Sequence, residues 1–279
     1  MIKVVVDSTA DIPDDLAQQF DIRIVPLNVH FGDETLRDGI DITKDEFYQR
    51  LVESNVTPKT SAPTIGSFVE TYEQLAKETD TILSLHLGGK LSATVTAARQ
   101  AAPEVSHVHI EIVDTNSIAT PITYMAVAAV KAIREGKKLD EIVALVHNIA
   151  QRSFLYIGLD TLKYLERGGR IGRVRAFLGT LLNVKPLIEV RDGEVQPVEQ
   201  VRTSKRLQER MLELTRGQMP LEELAVLYTA DLALAQMMAN RLAEAELLPR
   251  ERIRVIQMGG VIGTHIGPGG VGITGVHRA

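Results

Sequence analysis

The sequence predicts an α/β protein in two parts: an N-terminal open, mostly parallel sheet with flanking helices, and a C-terminal α+β domain with a mainly antiparallel sheet. Three observations carry that expectation. The chain has 279 residues, enough for about two domains of typical size. Through the first half, short aliphatic runs alternate with segments of helical period, the pattern of βαβ units whose crossovers are right-handed. Beyond residue 153 the pattern changes, and Asp192-Gly193 between two strand-like runs favours a tight hairpin, because both central residues take positive φ.

In chain order, residues 4–6, 22–27, 82–87 and 108–113 are short β-branched or aliphatic runs, too short for ordinary helices. Between them the spacing predicts helices over 14–20, 43–53, 64–77 and 92–102. Two have legible starts. Thr43-Lys44-Asp45-Glu46 is a capping box, and Thr64 follows Pro63 ahead of the apolar spacing of Ile65, Phe68 and Val69. Helices over 122–135 and 139–152 close the first part. The second is expected to hold strands over 154–159, 187–191, 194–201, 224–229 and 253–258, with helices over 205–216 and 232–245. This sets the division at 1–153 and 154–279. No low-complexity linker separates the parts, so they are expected to pack firmly, with a ligand pocket at their interface.

Composition narrows the function. With 44% apolar and 24% charged residues the chain is that of a soluble globular protein, which excludes disordered, collagenous and coiled-coil classes. Thirty-one basic against thirty-six acidic side chains leave a net charge of −5, the wrong balance for nucleic acid. Cysteine is absent, which removes disulfides, thiolate zinc sites and cysteine nucleophiles. No secretory signal follows Met1 and no run reaches eighteen apolar residues, so a cytoplasmic protein without a spanning helix is expected.

Four stretches hold residues suited to chemistry. Thr60-Ser61-Ala62-Pro63 sets two hydroxyls beside a proline at a helix entry, where capping of orphan backbone donors is the plain reading. Gly88-Gly89-Lys90-Leu91-Ser92-Ala93-Thr94 is a glycine turn between a strand and a helix beginning near Ser92. Such a turn at the carboxyl end of a parallel strand offers free N–H groups to an anion, although N-capping by Ser92 also accounts for it. It is not a Walker loop, since Leu91 separates Lys90 from Ser92. Residues 165–173 hold three arginines and three glycines; guanidinium forks suit carboxylate or phosphate, and a helix C-cap with solvated arginines explains the stretch as well. Residues 259–275 contain eight of the chain's 21 glycines, with His265 among them. So many glycines cost backbone entropy unless tight turns or close approach require them, and His265 is therefore expected to face a site.

Other signals are weaker. His107 and His109 share one face of an expected strand without a third metal ligand, which reads as solvent exposure. Asp7-Ser8-Thr9-Ala10-Asp11 reads as turn capping, with ligand contact as the alternative. Ser92 with His265 suggests a serine-dependent acyl hydrolase or acyltransferase. Against that stand the missing Gly-x-Ser-x-Gly elbow around Ser92 and the lack of an identifiable orienting acid. A regulatory or scaffold module is a third reading.

Taken together and in order, Asp7-Ser8-Thr9-Ala10-Asp11-Ile12-Pro13, Arg37-Asp38-Gly39, Lys59-Thr60-Ser61-Ala62-Pro63, Leu91-Ser92-Ala93-Thr94, residues 162–172 and Gly263-Thr264-His265-Ile266-Gly267-Pro268-Gly269 resemble the DegV family across nearly the whole chain. The resemblance implies a two-domain α/β protein enclosing a long-chain fatty acid, the FakB-type subunit of bacterial fatty acid kinase in phospholipid metabolism. Such a subunit is not catalytic by itself and needs no cofactor or metal. It presents the carboxylate to a separate ATP-binding subunit, related to dihydroxyacetone kinases, that forms the acyl phosphate; transient membrane contact for lipid loading goes with that role. By the same resemblance Thr60, Ser61, Ser92 and His265 hold the carboxylate, Arg170 and Gly267 belong to the supporting network, and Arg202 and Arg173 face the kinase partner. A solvent-exposed strand end is the plain reading of Arg202.

The residues themselves agree with that placement, since hydroxyls and an imidazole offset the desolvation of a buried acid. Only 4% of residues are aromatic and tryptophan is absent, so an aliphatic tunnel wall is expected. The chain also departs from the family pattern. Ala93 stands where a glycine is usual, His86-Leu87-Gly88-Gly89-Lys90 replaces a serine-rich approach, and Ser117-Ile118-Ala119-Thr120-Pro121 replaces a glycine-containing helix start. Head-group geometry and chain-length selectivity are expected to differ accordingly.

Overall fold

The computed structural model describes residues 1–177 and 184–278; residues 178–183 and Ala279, which belong to the expected 154–279 span, lie outside the description. In chain order the first part holds β1 (Lys3–Asp7), α1 (Asp14–Phe20), β2 (Ile22–Val25), β3 (Asn28–Phe31), β4 (Glu34–Arg37), α2 (Lys44–Glu53), β5 (Lys59–Ser61) and α3 (Ile65–Ala76). It continues with β6 (Thr81–His86), α4 (Thr94–Ala101), β7 (His109–Asp114), α5 (Thr120–Arg134) and α6 (Leu139–Arg152). Then come β8 (Ser153–Gly158), α7 (Lys163–Arg167), β9 (Lys185–Arg191), β10 (Glu194–Val201), α8 (Ser204–Arg216) and β11 (Leu221–Tyr228). The last elements are α9 (Leu232–Glu244), β12 (Ile253–Gln257), α10 (Gly260–Ile266) and β13 (Val271–His277).

The fold class is the expected one. A parallel sheet runs in the order β2-β1-β6-β7. The second sheet runs β10-β9-β8-β13-β11-β12 and is antiparallel at every pairing except β11 with β12. Val4, Val5 and Val6 are all buried, as a strand covered by helices on both faces must be. The local signals act as read: Thr43 and Glu46 close the capping box, the Thr43 amide donating to the Glu46 carboxylate at 2.8 Å and the Glu46 amide to the Thr43 hydroxyl at 3.2 Å. Asp192 and Gly193 both take positive φ, 53° and 72°.

Three features were not foreseen. A small antiparallel sheet, β4-β3-β5, takes in Thr60 and Ser61, expected at a helix entry; its strands span three or four residues, too few for period-two alternation to show. Within the glycine-rich tail, residues 260–266 form α10 and residues 271–277 form β13. Glycine lowers strand propensity, yet β13 is central and buried between β8 and β11. The helix after β6 begins at Thr94, two residues later than read, so Ser92 precedes it.

Alternation sorts the second sheet into two faces. Phe154, Tyr156, Leu224 and Val226 pack with Leu207, Met211 and Met238 of α8 and α9. Leu155, Ile157, Ala225 and Leu227 pack on the other side with Ile262 and Ile266 of α10. Core contacts also cross the residue-153 division: Val276 joins the cluster of α5 and α6, and Val261 joins Leu27, Val29, Phe47 and Tyr48.

Because Ile273 lies fully buried at the centre of β13, Ile273→Ala is expected to destabilise the whole chain by about 2–5 kcal/mol in urea unfolding. A loss below about 1 kcal/mol would show that the central strand does not hold the sheet together.

Candidate functional site

The site begins at the carboxyl end of the parallel sheet, where open α/β folds bind ligands. Asp7, at the end of β1, accepts the Leu87 amide at 2.9 Å and meets His86 Nδ1 at 3.1 Å. His86 Nε2 lies 2.7 Å from Ser84 Oγ, which lies 2.9 Å from the Tyr72 hydroxyl. This buried chain, together with Asp114 accepting the Gly89 amide at 3.1 Å, pins the turn that carries Ser92. The Asp7 to Asp11 stretch thus caps and anchors, as its plain reading held: the Asp7 carboxylate also accepts the Thr9 amide.

Thr60 is central in β5 and pairs across to the buried Val29. Its hydroxyl faces inward and is 2.9 Å from His265 Nε2. Ser61, one residue on, turns to the opposite face because successive strand side chains alternate; its hydroxyl meets His30 Nε2 at 2.9 Å, although the residue still borders the cavity. The reading of two hydroxyls on one turn is corrected here: β5 is a strand, and it separates them.

His265 lies on α10, whose N-terminal amides reach two buried carboxylates. Gly259 donates to Asp11 at 2.7 Å and Gly260 to Asp38 at 2.9 Å. Lys44 adds a 3.2 Å contact to Asp11. At the other end Gly267, with φ of 80°, donates its amide to Gly263 and lies so close to the Tyr164 ring that a Cβ would overlap it. Gly168, after α7, has its α-carbon against His265 Nδ1, again with no room for a side chain. His265 Nδ1 is buried without a hydrogen-bond partner. Arg170 ties the two walls together: it donates to the Gly168 carbonyl at 2.8 Å and to the Leu91 carbonyl, beside Ser92, at 3.3 Å.

These groups border a narrow cavity of about 70 Å³. The parallel half contributes Leu27, Leu87, Leu91 and Ile118 to its wall; the other half contributes Ile157, Leu165, Ile188, Val190, Val195, Val261, Ile262 and Ile266. None of the lining residues is aromatic, so the wall is aliphatic as composition suggested. Burial, with Arg170 nearby, holds the His265 imidazole down to about 4, so the ring is neutral at pH 7.

The hydrolase arrangement is not formed. His265 pairs with Thr60 while the Ser92 hydroxyl lies 2.9 Å from Thr94 Oγ1, and no carboxylate orients Nδ1 among the described residues. A groove beside Ser92 carries Lys90, Arg170 and Arg173; Lys90 and Arg173 both pair with Glu194 at 3.2 Å. Arg202 is exposed on the bend before α8 and borders neither the cavity nor this groove. His107 and His109 have side chains 58% and 60% exposed. Among the described residues no three His, Asp or Glu side chains converge as metal ligands do, and no helix is long and apolar enough to cross a membrane.

A family model for uncharacterised DegV proteins matches residues 1–278. The chain belongs to the DegV family. A DegV domain-containing protein of Streptomyces coelicolor is 36% identical over 276 residues, 98% of this chain and 97% of that one. A solved DegV family protein from Thermus thermophilus, described for its fatty acid binding, shares 34% identity at a TM-score of 0.91 with 99% of each chain covered. DegV of Bacillus subtilis, described as a fatty acid binding protein, shares 31% at 0.89, again over 99% of each chain. In this DegV protein the buried acids Asp11 and Asp38 were missed as site builders. Their signal was present, since both fall in matched motifs, but nothing in the sequence says that α10 lands on them.

Asp11 and His265 titrate in opposite senses. Burial pushes the Asp11 carboxyl up to about 6 from 3.8, and the His265 ring down to about 4 from 6.5. Between pH 4 and 6 the folded protein therefore holds a proton at Asp11 that the unfolded chain lacks, a contribution lost as pH rises. At His265 the unfolded chain holds the extra proton, so that contribution is lost as pH falls. Relative to the parent chain, Asp11→Asn is expected to make stability rise more with pH and His265→Gln to make it fall more, each by up to about 1.4 kcal/mol per pH unit in urea unfolding. Slope changes of the same sign in the two variants would rule out the opposed titrations.

Proposed function

We propose that this protein binds one long-chain fatty acid in the aliphatic cavity and presents its carboxylate to a separate ATP-binding kinase subunit for acyl-phosphate formation. The reading is carried by one cavity lined by aliphatic side chains together with Thr60, Ser92 and a neutral His265, in a family whose solved members above are described as binding fatty acids. Burying a sixteen-carbon tail at about 0.8 kcal/mol per methylene is worth on the order of 10 kcal/mol. Hydroxyl and imidazole donors then orient the acid rather than supply the affinity. An anion beside the ring raises its pKa, so ligand binding and proton uptake at His265 reinforce each other.

The same geometry supports a binding role over catalysis, since among the described residues His265 pairs with Thr60 rather than Ser92 and no acid orients its Nδ1. Thr60, Ser92 and His265 are the proposed carboxylate donors, with Ser61 adding its edge of the cavity, and Arg170 and Gly267 maintaining the surrounding frame. The groove with Lys90 and Arg173 adjoins the acid's end of the cavity, which suits approach of a phosphate donor held by a partner. Arg173 and the exposed Arg202 are the proposed partner contacts. A cytoplasmic location with transient membrane contact during loading completes the proposal.

Mass spectrometry of organic extracts from the purified protein is expected to find long-chain fatty acid near one per chain. Ser92→Ala and His265→Ala should each weaken fatty acid binding about tenfold while leaving the fold intact. Finding no lipid and no uptake of added palmitate would overturn the binding role. With ATP, the isolated chain should form no acyl phosphate, and adding a dihydroxyacetone-kinase-like subunit should restore the reaction. Arg173→Glu and Arg202→Glu should slow that reaction without changing palmitate affinity; unchanged rates would remove both from the partner surface.

A further inference from the structure

A second cavity, of about 410 Å³, lies between α1, α5 and the β11–β12 edge and shares no lining residue with the first among the described residues. Thr120 and Tyr124 stand one turn apart on α5, so both hydroxyls face the same way, and both border this cavity. Each hydroxyl is buried without any hydrogen-bond partner. Buried polar atoms are rarely left in that state unless something outside the chain satisfies them. Thr120 is wholly buried, and burial pushes the Tyr124 pKa well up, so the phenol remains a donor.

The rest of the lining says what kind of molecule fits. Lys131, Arg252 and Arg254 share the lining with Glu222 and Glu223. Glu222 is already paired with Arg152 at 2.9 Å, and Arg254 also meets Asp15 at 3.3 Å. Glu223 is partly withdrawn from solvent, and its acidity is weakened chiefly by that burial. The balance of the lining is cationic. Leu16, Phe20 and Ile256 add apolar lining. Two buried neutral donors, exposed cations and apolar lining match an acid group on a short hydrocarbon.

We propose that this cavity is a second binding site, for a small amphiphilic carboxylate whose acid group accepts from the Thr120 and Tyr124 hydroxyls with Arg254 as counter-charge. The site does not rest on the fatty acid reading of the first cavity. Its test uses full-length protein saturated with palmitate, carrying ¹³C-labelled tyrosine, and titrated with octanoate. The Tyr124 ring resonance, identified by its loss in Tyr124→Phe, is expected to shift saturably. Thr120→Val and Arg254→Gln should each raise the octanoate midpoint about tenfold; Arg254 is half-exposed, so its variant keeps the test open where the buried one impairs folding. Octan-1-ol should bind at least about tenfold more weakly than octanoate. No Tyr124 shift, a midpoint indifferent to both variants, or equal response to the alcohol would each overturn the assignment, leaving a cavity occupied by water. The same titration without palmitate separates the two sites: failure of the first cavity to take lipid leaves the Tyr124 response unchanged.

Discussion

The placement of one short helix governs the site. α10 has seven residues, far fewer than an isolated helix needs to persist in water, so its position is set by what it touches. Asp11 and Asp38 accept its first amides, and the Tyr48 hydroxyl donates to the Met258 carbonyl just ahead of it at 2.9 Å. Two buried carboxylates side by side are unfavourable by desolvation and repulsion. Their retention here is explained by the Lys44 cation and by helix amides, which are the partners a buried anion requires. Since Asp11 and Asp38 belong to the first part of the chain and α10 to the second, this contact also sets the two cavity walls against each other.

From that anchor the polarity of the cavity follows. A glycine-lined helix approaches α2 and α7 closely enough to put His265 against Gly168 and Thr60. There the ring is deprived of water and stays neutral. A neutral imidazole and two hydroxyls can hold an acid without a permanent charge buried in an aliphatic wall, which would be far costlier to desolvate. Arg170 supplies the charge at the edge, where its guanidinium stays partly solvated while it ties Leu91 to Gly168.

Much of this was legible in the sequence, for identifiable reasons. The parallel strands are runs such as Val4-Val5-Val6, and α1, α6 and β10 fall on the expected bounds because caps, periodicity and a turn pair mark their ends. Ser92 and His265 stood out by their glycine context. The reading failed where tertiary contact overrides local preference. Gly272 and Gly275 suggest a turn in isolation, but in β13 Gly272 packs closely on Leu227 and Gly275 lies where the Glu223 carbonyl leaves no room for a larger residue. Thr60 and Ser61 look equivalent in sequence, and only the β3–β5 register distinguishes the inward hydroxyl from the outward one. Asp11 and Asp38 are separated from α10 by more than two hundred residues, beyond the reach of any periodicity.

The backbone at Ala119 joins these levels. Its φ of 63° and ψ of −152° fall in a region almost reserved for glycine, at a strain of about 1–3 kcal/mol for a residue with a Cβ. The residue is 1% exposed, and its methyl packs in the cluster of Ile157, Ile262 and Ile266 that walls the cavity. A strained conformation persists only where surrounding packing over-determines it, and here the surroundings are the cavity wall on one side and the start of α5 on the other. Glycine at this position would relieve the strain and leave a methyl-sized gap beside Ile118. Alanine therefore trades backbone ease for a filled wall beside Ile118, which borders the cavity.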